Sequence, residues 1–208
     1  MLISTFVQII RVRAKEAPVP MLERLMRESA RQFFREARVW RTDFGGAISA
    51  GSDAYDLTLP TGALAHDIIY AKLKTTNTNL EYLRDAAKAY ISPDDEVNVN
   101  SDPTFITLID NNTFCLSPKP RYDDVIDMKI ILTIPRTATE IDDQMVEEFE
   151  DALIDGCLFR LYEQPNETWS DMKLSQYHLQ KYMAGIAKAK LRAEETRTPG
   201  VRVAAFSW

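Results

Sequence analysis

The sequence is poor in the residues that form metal sites and covalent cross-links. Its 208 residues include two histidines and two cysteines, and these have no pairing at the spacing of a zinc site. Cys115 and Cys157 lie in separate apolar runs, which indicates buried free thiols made in a reducing compartment. His66 and His178 are interpreted as ordinary surface or core residues. We therefore expect neither a metal nor a disulfide.

Motifs of the common enzyme classes are also missing. The sequence has no Walker loop, dinucleotide fingerprint, nucleophile elbow or zincin motif, so we expect no enzyme and no cofactor. It has no apolar run of membrane-spanning length, and Met1–Phe6 lacks the charged start and long apolar core of a signal peptide. These absences predict a protein made in the cytoplasm that does not associate with membranes.

Positive charge is in deficit, with 25 lysines and arginines against 31 acidic residues and a net charge of −6. Proteins that wrap DNA without regard to sequence need a basic surface, so such binding is not expected. One acidic run, at Asp123, Asp124 and Asp127, has the oxygen chemistry of a hard-cation site. A solvated turn before a strand is the more ordinary interpretation. A metal-dependent enzyme built on this run is kept as a third alternative.

Apolar spacing predicts helices near both ends of the chain. The clearest runs from Met21 to Arg38. Between Ile141 and Lys190 the pattern predicts two helices joined at Pro165, an αα-hairpin, because proline ends the first. Thr168–Asp171 has the spacing of a capping box for the second helix. That helix is predicted to bury a stripe formed by Leu179, Met183 and Ile186.

The middle of the chain changes to a period of two, which indicates strands. Asp43–Gly46 is predicted to end the first helix. The strand candidates are Ala54–Pro60, Asp67–Leu73, a hairpin over Pro103–Cys115, and Asp127–Pro135. Leu80–Ile91 is ambiguous and fits a short helix.

Together these patterns predict an α+β fold. A helical bundle is formed by an N-terminal helix and a C-terminal αα-hairpin, with an inserted antiparallel β-region. The predicted domains are residues 1–44 with 137–208, a bundle carrying a C-terminal docking tail, and residues 45–136, the inserted β-domain. No conformation is predicted for residues 1–20 or 92–102.

Charged residues form two helical stripes, which are candidates for a subunit interface. The basic stripe consists of Arg24, Arg27, Arg31, Arg35 and Arg38. The acidic stripe consists of Glu147, Glu148, Asp151 and Asp155. In a ring, the basic side of one copy can meet the acidic side of the next, a heterologous contact that closes. The alternative is two solvated faces with local pairs such as Arg24–Glu28.

The end of the chain carries apolar residues that a solvated terminus rarely collects. After Pro199 come the docking candidates Val201, Val203, Phe206 and Trp208. An extended segment of this kind binds by adding to a sheet edge or by placing aromatic rings in pockets. The alternative is that the tail folds back on its own β-region.

Several stretches, taken in order, carry a resemblance to a known family. They are the aromatic-Arg-Glu-x-x-Val-Trp-Arg run Phe34–Arg41, the strand Ala54–Pro60, the pair Ala152–Gly156 and Leu158–Tyr162, and then Pro165, Trp169–Ser170, Gln176–His178 and Met183–Ile186. With them the chain resembles tailed-phage head–tail adaptors of the tail tubular protein A type.

The resemblance implies a structural protein of the virion, made in the host cytoplasm and located at the head–tail junction. It implies a ring of about twelve copies below the portal, with the genome passing through its hole without specific binding. The helical part would contact the portal and the β-part the nozzle or tail. The alternative from a different class is a monomeric intracellular binding module for a peptide or small ligand, using a groove between sheet and helices.

Overall fold

The structure is a computed structural model that describes residues 1–52, 54–84 and 102–195. Internal contacts separate two units. The helical unit contains Met1–Val39 and the described residues from Arg136 onward, and the β-unit contains those of Trp40–Pro135. The predicted domains, with the roles assigned to them, stay a prediction.

The helical unit contains four helices among the described residues. They are α1 Ile3–Arg11, α2 Val19–Ala37, α3 Asp143–Tyr162 and α4 Met172–Glu195. The predicted helix at Met21–Arg38 and the two predicted after Ile141 are thus present as α2, α3 and α4. Helix α1 lies in a segment for which the sequence predicted no conformation. None of these helices combines the length and apolar character needed to cross a membrane.

Local chemistry sets where the helices begin and end. Pro18 precedes α2, whose last turn closes when the Arg38 N–H donates to the Phe34 carbonyl at 3.0 Å, with Arg38 in the left-handed conformation at φ 56°. Helix α4 begins after Asp171, whose carboxylate accepts from the N–H groups of Lys173 and Leu174 at 2.9 and 3.1 Å. Asp171 is therefore the cap, and the capping box predicted to start at Thr168 is wrong.

The core of the helical unit is formed where α2, α3 and α4 meet. Phe33 of α2 lies 5.2 Å from Phe149 of α3 and 6.3 Å from Tyr182 of α4, measured between ring centroids. Burial raises the pKa of Tyr182, and its hydroxyl donates to the Ser29 carbonyl at 2.8 Å. A Cβ added to Gly156 would lie 2.6 Å from the Tyr182 ring. Glycine is needed there because the ring lies directly against the α3 backbone.

The buried stripe of α4 differs from the predicted one. Ile186 is buried, but Leu179 and Met183 are 39% and 49% exposed. The helix instead turns Ser175, His178 and Tyr182 inward. Ser175 and His178 tolerate burial because the Phe159 carbonyl accepts from the Ser175 hydroxyl and Asp155 bonds the imidazole. Apolar spacing alone selected the wrong face.

The described residues of the β-unit form a seven-stranded sheet. Its strands are β1 Arg41–Ile48, β2 Ala54–Asp56, β3 Leu64–Leu73, β4 Asn79–Tyr82, β5 Phe105–Leu108, β6 Thr113–Ser117 and β7 Asp124–Thr133. They are ordered β1-β7-β3-β4-β5-β6-β2. Neighbours pair antiparallel except for the parallel β4–β5 pair. The end strands β1 and β2 line one common gap, so the sheet is a nearly closed barrel.

The predicted fold class is therefore wrong. The fold is mixed α+β with a nearly closed seven-stranded sheet, rather than a helical bundle carrying a small antiparallel insertion. The largest omission is β1, which occupies Asp43–Gly46, the predicted helix end. Gly45 and Gly46 carry no side chain, so they hide the alternation that marks a strand.

Other strands were found with different limits. The hairpin predicted at Pro103–Cys115 is confirmed as β5 and β6, and the strands predicted at Asp67–Leu73 and Asp127–Pro135 are β3 and β7. The predicted strand Ala54–Pro60 ends at Asp56. At Leu80–Ile91 the chain begins with β4 rather than a helix, and residues 85–91 lie outside the described residues.

The acidic run before β7 is a structural tie. Asp124 is buried, and its carboxylate accepts from the N–H groups of Thr75, Thr76 and Val125 at 2.9, 3.3 and 2.6 Å. Burial by itself raises the pKa of Asp124, but these hydrogen bonds outweigh it and lower the pKa to about 2. The solvated-turn interpretation is wrong for this residue.

The neighbouring carboxylates point to other groups. Asp123 accepts from the Ala50 N–H at 2.8 Å, and Asp127 pairs with Lys74 at 3.2 Å. Within the described ranges, no three His, Cys, Asp or Glu side chains are placed to hold a metal ion.

We predict that Gly156→Ala destabilises the helical unit although alanine is the better helix former. The added methyl group displaces the Tyr182 ring, at a cost of about 1–3 kcal/mol, which exceeds the propensity gain of about 1 kcal/mol. Denaturant unfolding measures the difference, with Gln180→Ala on the exposed side of α4 as the control. A variant as stable as the parent would contradict the close ring–backbone contact.

We also predict a pH-dependent loss of stability for Asp124→Asn. The lowered pKa makes the carboxylate stabilise the folded state by about 2 kcal/mol above pH 4. This contribution decreases as the pH falls from about 4 to about 2, because the carboxyl group of the unfolded chain takes up its proton in this range while that of the folded chain is still largely ionised. Unfolding free energies at pH 7 and pH 2.5, with Asp56→Asn as the exposed control, give the comparison. A deficit equal at both values would show that the charge is not what stabilises the turn.

Candidate interaction surface

One side of α2 borders a groove of about 850 Å³ rich in arginine. We call this the arginine groove. Its lining residues are Arg24, Arg27, Glu28, Arg31, Gln32, Arg35, Glu36, Arg136 and Arg160. Four of the five arginines of the predicted basic stripe are among them. Arg38 is not, because it leaves the helix in the left-handed conformation.

Two arginines of the groove were not predicted, because they come from distant parts of the sequence. Arg160 of α3 is held in place by donating to the Ser29 hydroxyl at 2.9 Å, to the Gly156 carbonyl at 2.7 Å and to the Gln32 side chain. Its guanidinium also lies 4.3 Å from the centroid of the Phe159 ring. Arg136 follows the last strand of the chain. The groove thus combines a helix face with two residues brought there by folding.

Two arginines of the groove, Arg24 and Arg27, have partners within the helical unit. Arg24 bonds Glu28 at 3.2 Å, the local pair that the solvated-face interpretation predicted. Arg27 donates to Glu23 at 3.0 Å and to the Ala138 carbonyl at 2.7 Å. The exposed Arg24–Glu28 pair contributes little to stability, so Arg24 is able to exchange partners at low cost.

Three other arginines of the groove, Arg31, Arg35 and Arg136, repel one another. Burial lowers the pKa of the Arg31 guanidinium, and the charges of Arg35 and Arg136 lower it further. Arginine stays charged in proteins, so this concentration of positive charge is relieved when an anion approaches. Guanidinium groups bind carboxylates with two parallel hydrogen bonds. The groove is therefore suited to acidic side chains of a partner.

The predicted acidic residues of α3 do not form one exposed stripe. Glu147 and Asp151 are exposed. Glu148 pairs with Arg192 of α4, and Asp155 is buried with an oxygen 2.7 Å from His178 Nδ1. The helix is irregular at Phe149, with φ −125° and ψ 16°. Residues before and after this kink therefore do not keep the phase that a regular helix gives them.

Helix α4 exposes large apolar residues on more than one side. They are Met172, Leu174, Tyr177, Leu179, Met183 and Leu191. Met172, Leu179 and Met183 lie within about 40° of one another around the helix axis, so these three form one side that is suited to contact with another protein. This surface was not predicted, because the apolar spacing placed Leu179 and Met183 in the core.

The remaining reactive side chains have structural environments. Burial raises the pKa of the Cys157 thiol to about 12, so the thiolate needed for nucleophilic attack does not form at neutral pH. Tyr162 stacks on His178, which bonds Asp155. His66 is half-buried on β3. The portal-docking candidates Val201, Val203, Phe206 and Trp208 lie outside the described residues.

The arginine groove and the exposed apolar residues of α4 indicate a protein that acts by binding other proteins. Comparison with known families identifies which type of protein it is. The model of the SU10 adaptor protein family matches residues 1–204. The chain belongs to this family of phage head–tail adaptors. No curated protein matches it. The predicted resemblance to head–tail adaptors is confirmed, and the closer likeness to tail tubular protein A stays a prediction.

Family membership settles the broad role. SU10 adaptor proteins form a family of structural phage proteins, so this chain is a virion-associated adaptor. As an adaptor, it acts through its surfaces, and two candidates are the arginine groove and the side of α4 that carries Met172, Leu179 and Met183.

Proposed function

We propose that the chain forms a ring of about twelve copies that joins the portal to the tail and encloses part of the DNA exit channel. The observation that carries this proposal is the match of the SU10 adaptor family to nearly the whole chain. The ring's partners are then the portal on one side and a nozzle or tail protein on the other, with DNA passing between them.

The arginine groove is the proposed contact between neighbouring copies. A ring needs two different surfaces that fit each other. The groove supplies the basic one, and the exposed acids Glu147 and Asp151 of the next copy supply the other. Single exposed ion pairs contribute less than about 1 kcal/mol, so several pairs and the burial of apolar surface must act together. The exposed side chains of α4, such as Leu179 and Met183, offer that apolar surface.

The tail after Pro199 is proposed to dock onto a partner in this assembly. It carries four large apolar side chains in the last eight residues, Val201, Val203, Phe206 and Trp208. The net charge of −6 fits a channel through which DNA slides without being held. The alternative, a monomeric binding module for a peptide or small ligand, is separated from the ring by the experiment below.

We predict that reversing Arg31 and Arg35 to glutamate weakens assembly by about tenfold or more, since a loss of 1.4 kcal/mol has that effect. Adding Glu147→Arg and Asp151→Arg to this variant should restore part of the lost assembly if the two surfaces meet across copies. Analytical ultracentrifugation of each variant, alone and with the portal, measures assembly. Arg11→Glu with Arg13→Glu, a matched reversal of two exposed arginines outside the groove, is the control.

Circular dichroism melting checks that each variant remains folded. Because Arg31 is half-buried, the pair Arg24→Glu with Arg35→Glu serves as a second test on exposed positions. An unchanged sedimentation profile for both groove variants would show that the groove is a solvated face. A parent chain that stays monomeric with the portal present would favour the binding module.

A further inference from the structure

The barrel of the β-unit has an open gap between its end strands. We call this gap the seam. It has a volume of about 550 Å³ and is lined by Asp43–Ala47 of β1, by Ala54–Asp56 of β2, and by Thr58 and Phe114. Neither β1 nor β2 has a second neighbour in the sheet order of the described residues. The seam is therefore bordered by two strand edges.

The pairing of β1 with β7 shows which residues of β1 direct their backbone N–H and C=O groups toward β7 and which direct them into the seam. Trp40 and Leu132 lie opposite each other, since Arg41 is in register with Ile131, and the Leu132 N–H donates to the Trp40 carbonyl at 2.8 Å. Hydrogen-bonded pairs alternate along an antiparallel ladder. Every second residue from Trp40 thus faces β7. The residues between them, including Asp43, Gly45 and Ala47, direct their N–H and C=O groups into the seam.

A hydrogen bond on the far side of β7 supports this assignment of the β1 backbone groups. Val125 lies opposite Ala47, and its carbonyl accepts from the Lys74 N–H at 2.8 Å, away from β1. On the other border, the Leu57 N–H donates to the Asn112 carbonyl at 2.7 Å. By the same alternation Ala54 and Asp56 direct their backbone groups into the seam. Both borders therefore offer a ladder to an added strand.

The side chains around the seam favour a particular kind of strand. On the inner side, Phe44 and Tyr55 lie 6.0 and 5.3 Å from the Phe114 ring, centroid to centroid. A Cβ on Gly46 would lie 2.8 Å from the Phe44 ring, so glycine is needed for the ring to occupy that place. On the outer side, Asp43 and Asp56 are exposed, and Asp43 also pairs with Lys129 at 3.3 Å. A fitting strand has apolar residues on one face and a basic residue on the other.

We propose that the segment Val201–Trp208 of a neighbouring copy adds to the seam as a β-strand. It has the same length as β1, which is 8 residues. Val201, Val203 and Ala205 would face the aromatic rings. Arg202, Ala204, Phe206 and Trp208 would lie on the outer face, where Arg202 would meet the carboxylates of Asp43 and Asp56. Strand addition of this kind takes affinity from main-chain bonds and specificity from alternate side chains. The inference rests on the proposed ring, which brings a second copy within reach.

Disulfide capture between two copies tests the proposal. Full-length chains carrying Ala47→Cys or Gly45→Cys are mixed with chains carrying Ala204→Cys, and an oxidant is added. Ala204 shares the outer face with Arg202, so its thiol should come within bonding distance of one of the two β1 positions. Ala205→Cys, one residue further along, faces inward and should be captured about tenfold less.

Two further controls define the background. Glu81→Cys, exposed on β4, replaces the β1 cysteine in one mixture, and the parent chain with its native Cys115 and Cys157 replaces it in another. Arg202→Glu, added to the Ala204→Cys chain, should reduce capture. A dimer that forms only in the β1 mixtures, and only with Ala204→Cys, is the expected result.

Other occupants of the seam give different results. A chain that carries both cysteines and forms the bond only within itself would show that its own tail fills the seam. No bond in any mixture, or loss of the bond when the portal is added, would assign the tail elsewhere. Each of these outcomes overturns the proposal.

A peptide arm separates this inference from the proposed ring. A synthetic peptide of residues 196–208 with Ala204→Cys is oxidised onto the Ala47→Cys and Gly45→Cys chains, which does not require ring formation. Peptide capture without any sedimenting ring would retain the seam and reject the ring. Rings that form while chain and peptide capture both fail would reject the seam alone. N-methylation of alternate peptide residues should reduce capture in either phase, because one phase donates to β1 and the other to β2.

Discussion

The helical unit depends on one fully buried serine. The Ser29 carbonyl accepts from the Tyr182 hydroxyl of α4, and its side chain donates to the Leu25 carbonyl and accepts from Arg160 of α3. A buried polar group stabilises a fold only when its partners are present. These bonds fix three helices relative to one another. They also fix Arg160, so the position of charge in the arginine groove follows from packing beneath it.

The two units offer different kinds of binding surface. In the helical unit the groove concentrates arginines whose charges repel one another, which suits an acidic partner. In the β-unit the described strands leave a gap between β1 and β2. A barrel without edges is protected from pairing with other chains. This sheet keeps two edges side by side, and the pair of carboxylates at Asp43 and Asp56 disfavours an apolar or acidic strand from an unrelated chain.

The sequence was informative where one period runs without interruption. Helix α2 and the β5–β6 hairpin could be predicted because their apolar positions repeat and their ends carry turn residues. Strand β1 could not, since Gly45 and Gly46 leave its inner face without a pattern. The acidic stripe failed at Phe149, where the helix loses its phase. Arg136 and Arg160 join the groove only through tertiary packing, and no local signal in the sequence marks them. Its basic members on α2 were predictable from helical spacing alone.

The distribution of charge bears on both the arginine groove and the proposed channel. Six arginines and two glutamates line the groove, while the whole chain has a net charge of −6. Outside the groove, the negative excess is therefore larger than the total indicates. If neighbouring copies cover the groove, the ring hides much of its positive charge at the contacts and presents a more acidic surface elsewhere. Charges covered in this way are screened less by salt than exposed ones, and phosphate groups that pass the proposed ring would meet a surface with a larger excess of acidic groups. The same arginines that join the copies would thus be removed from the path of the DNA.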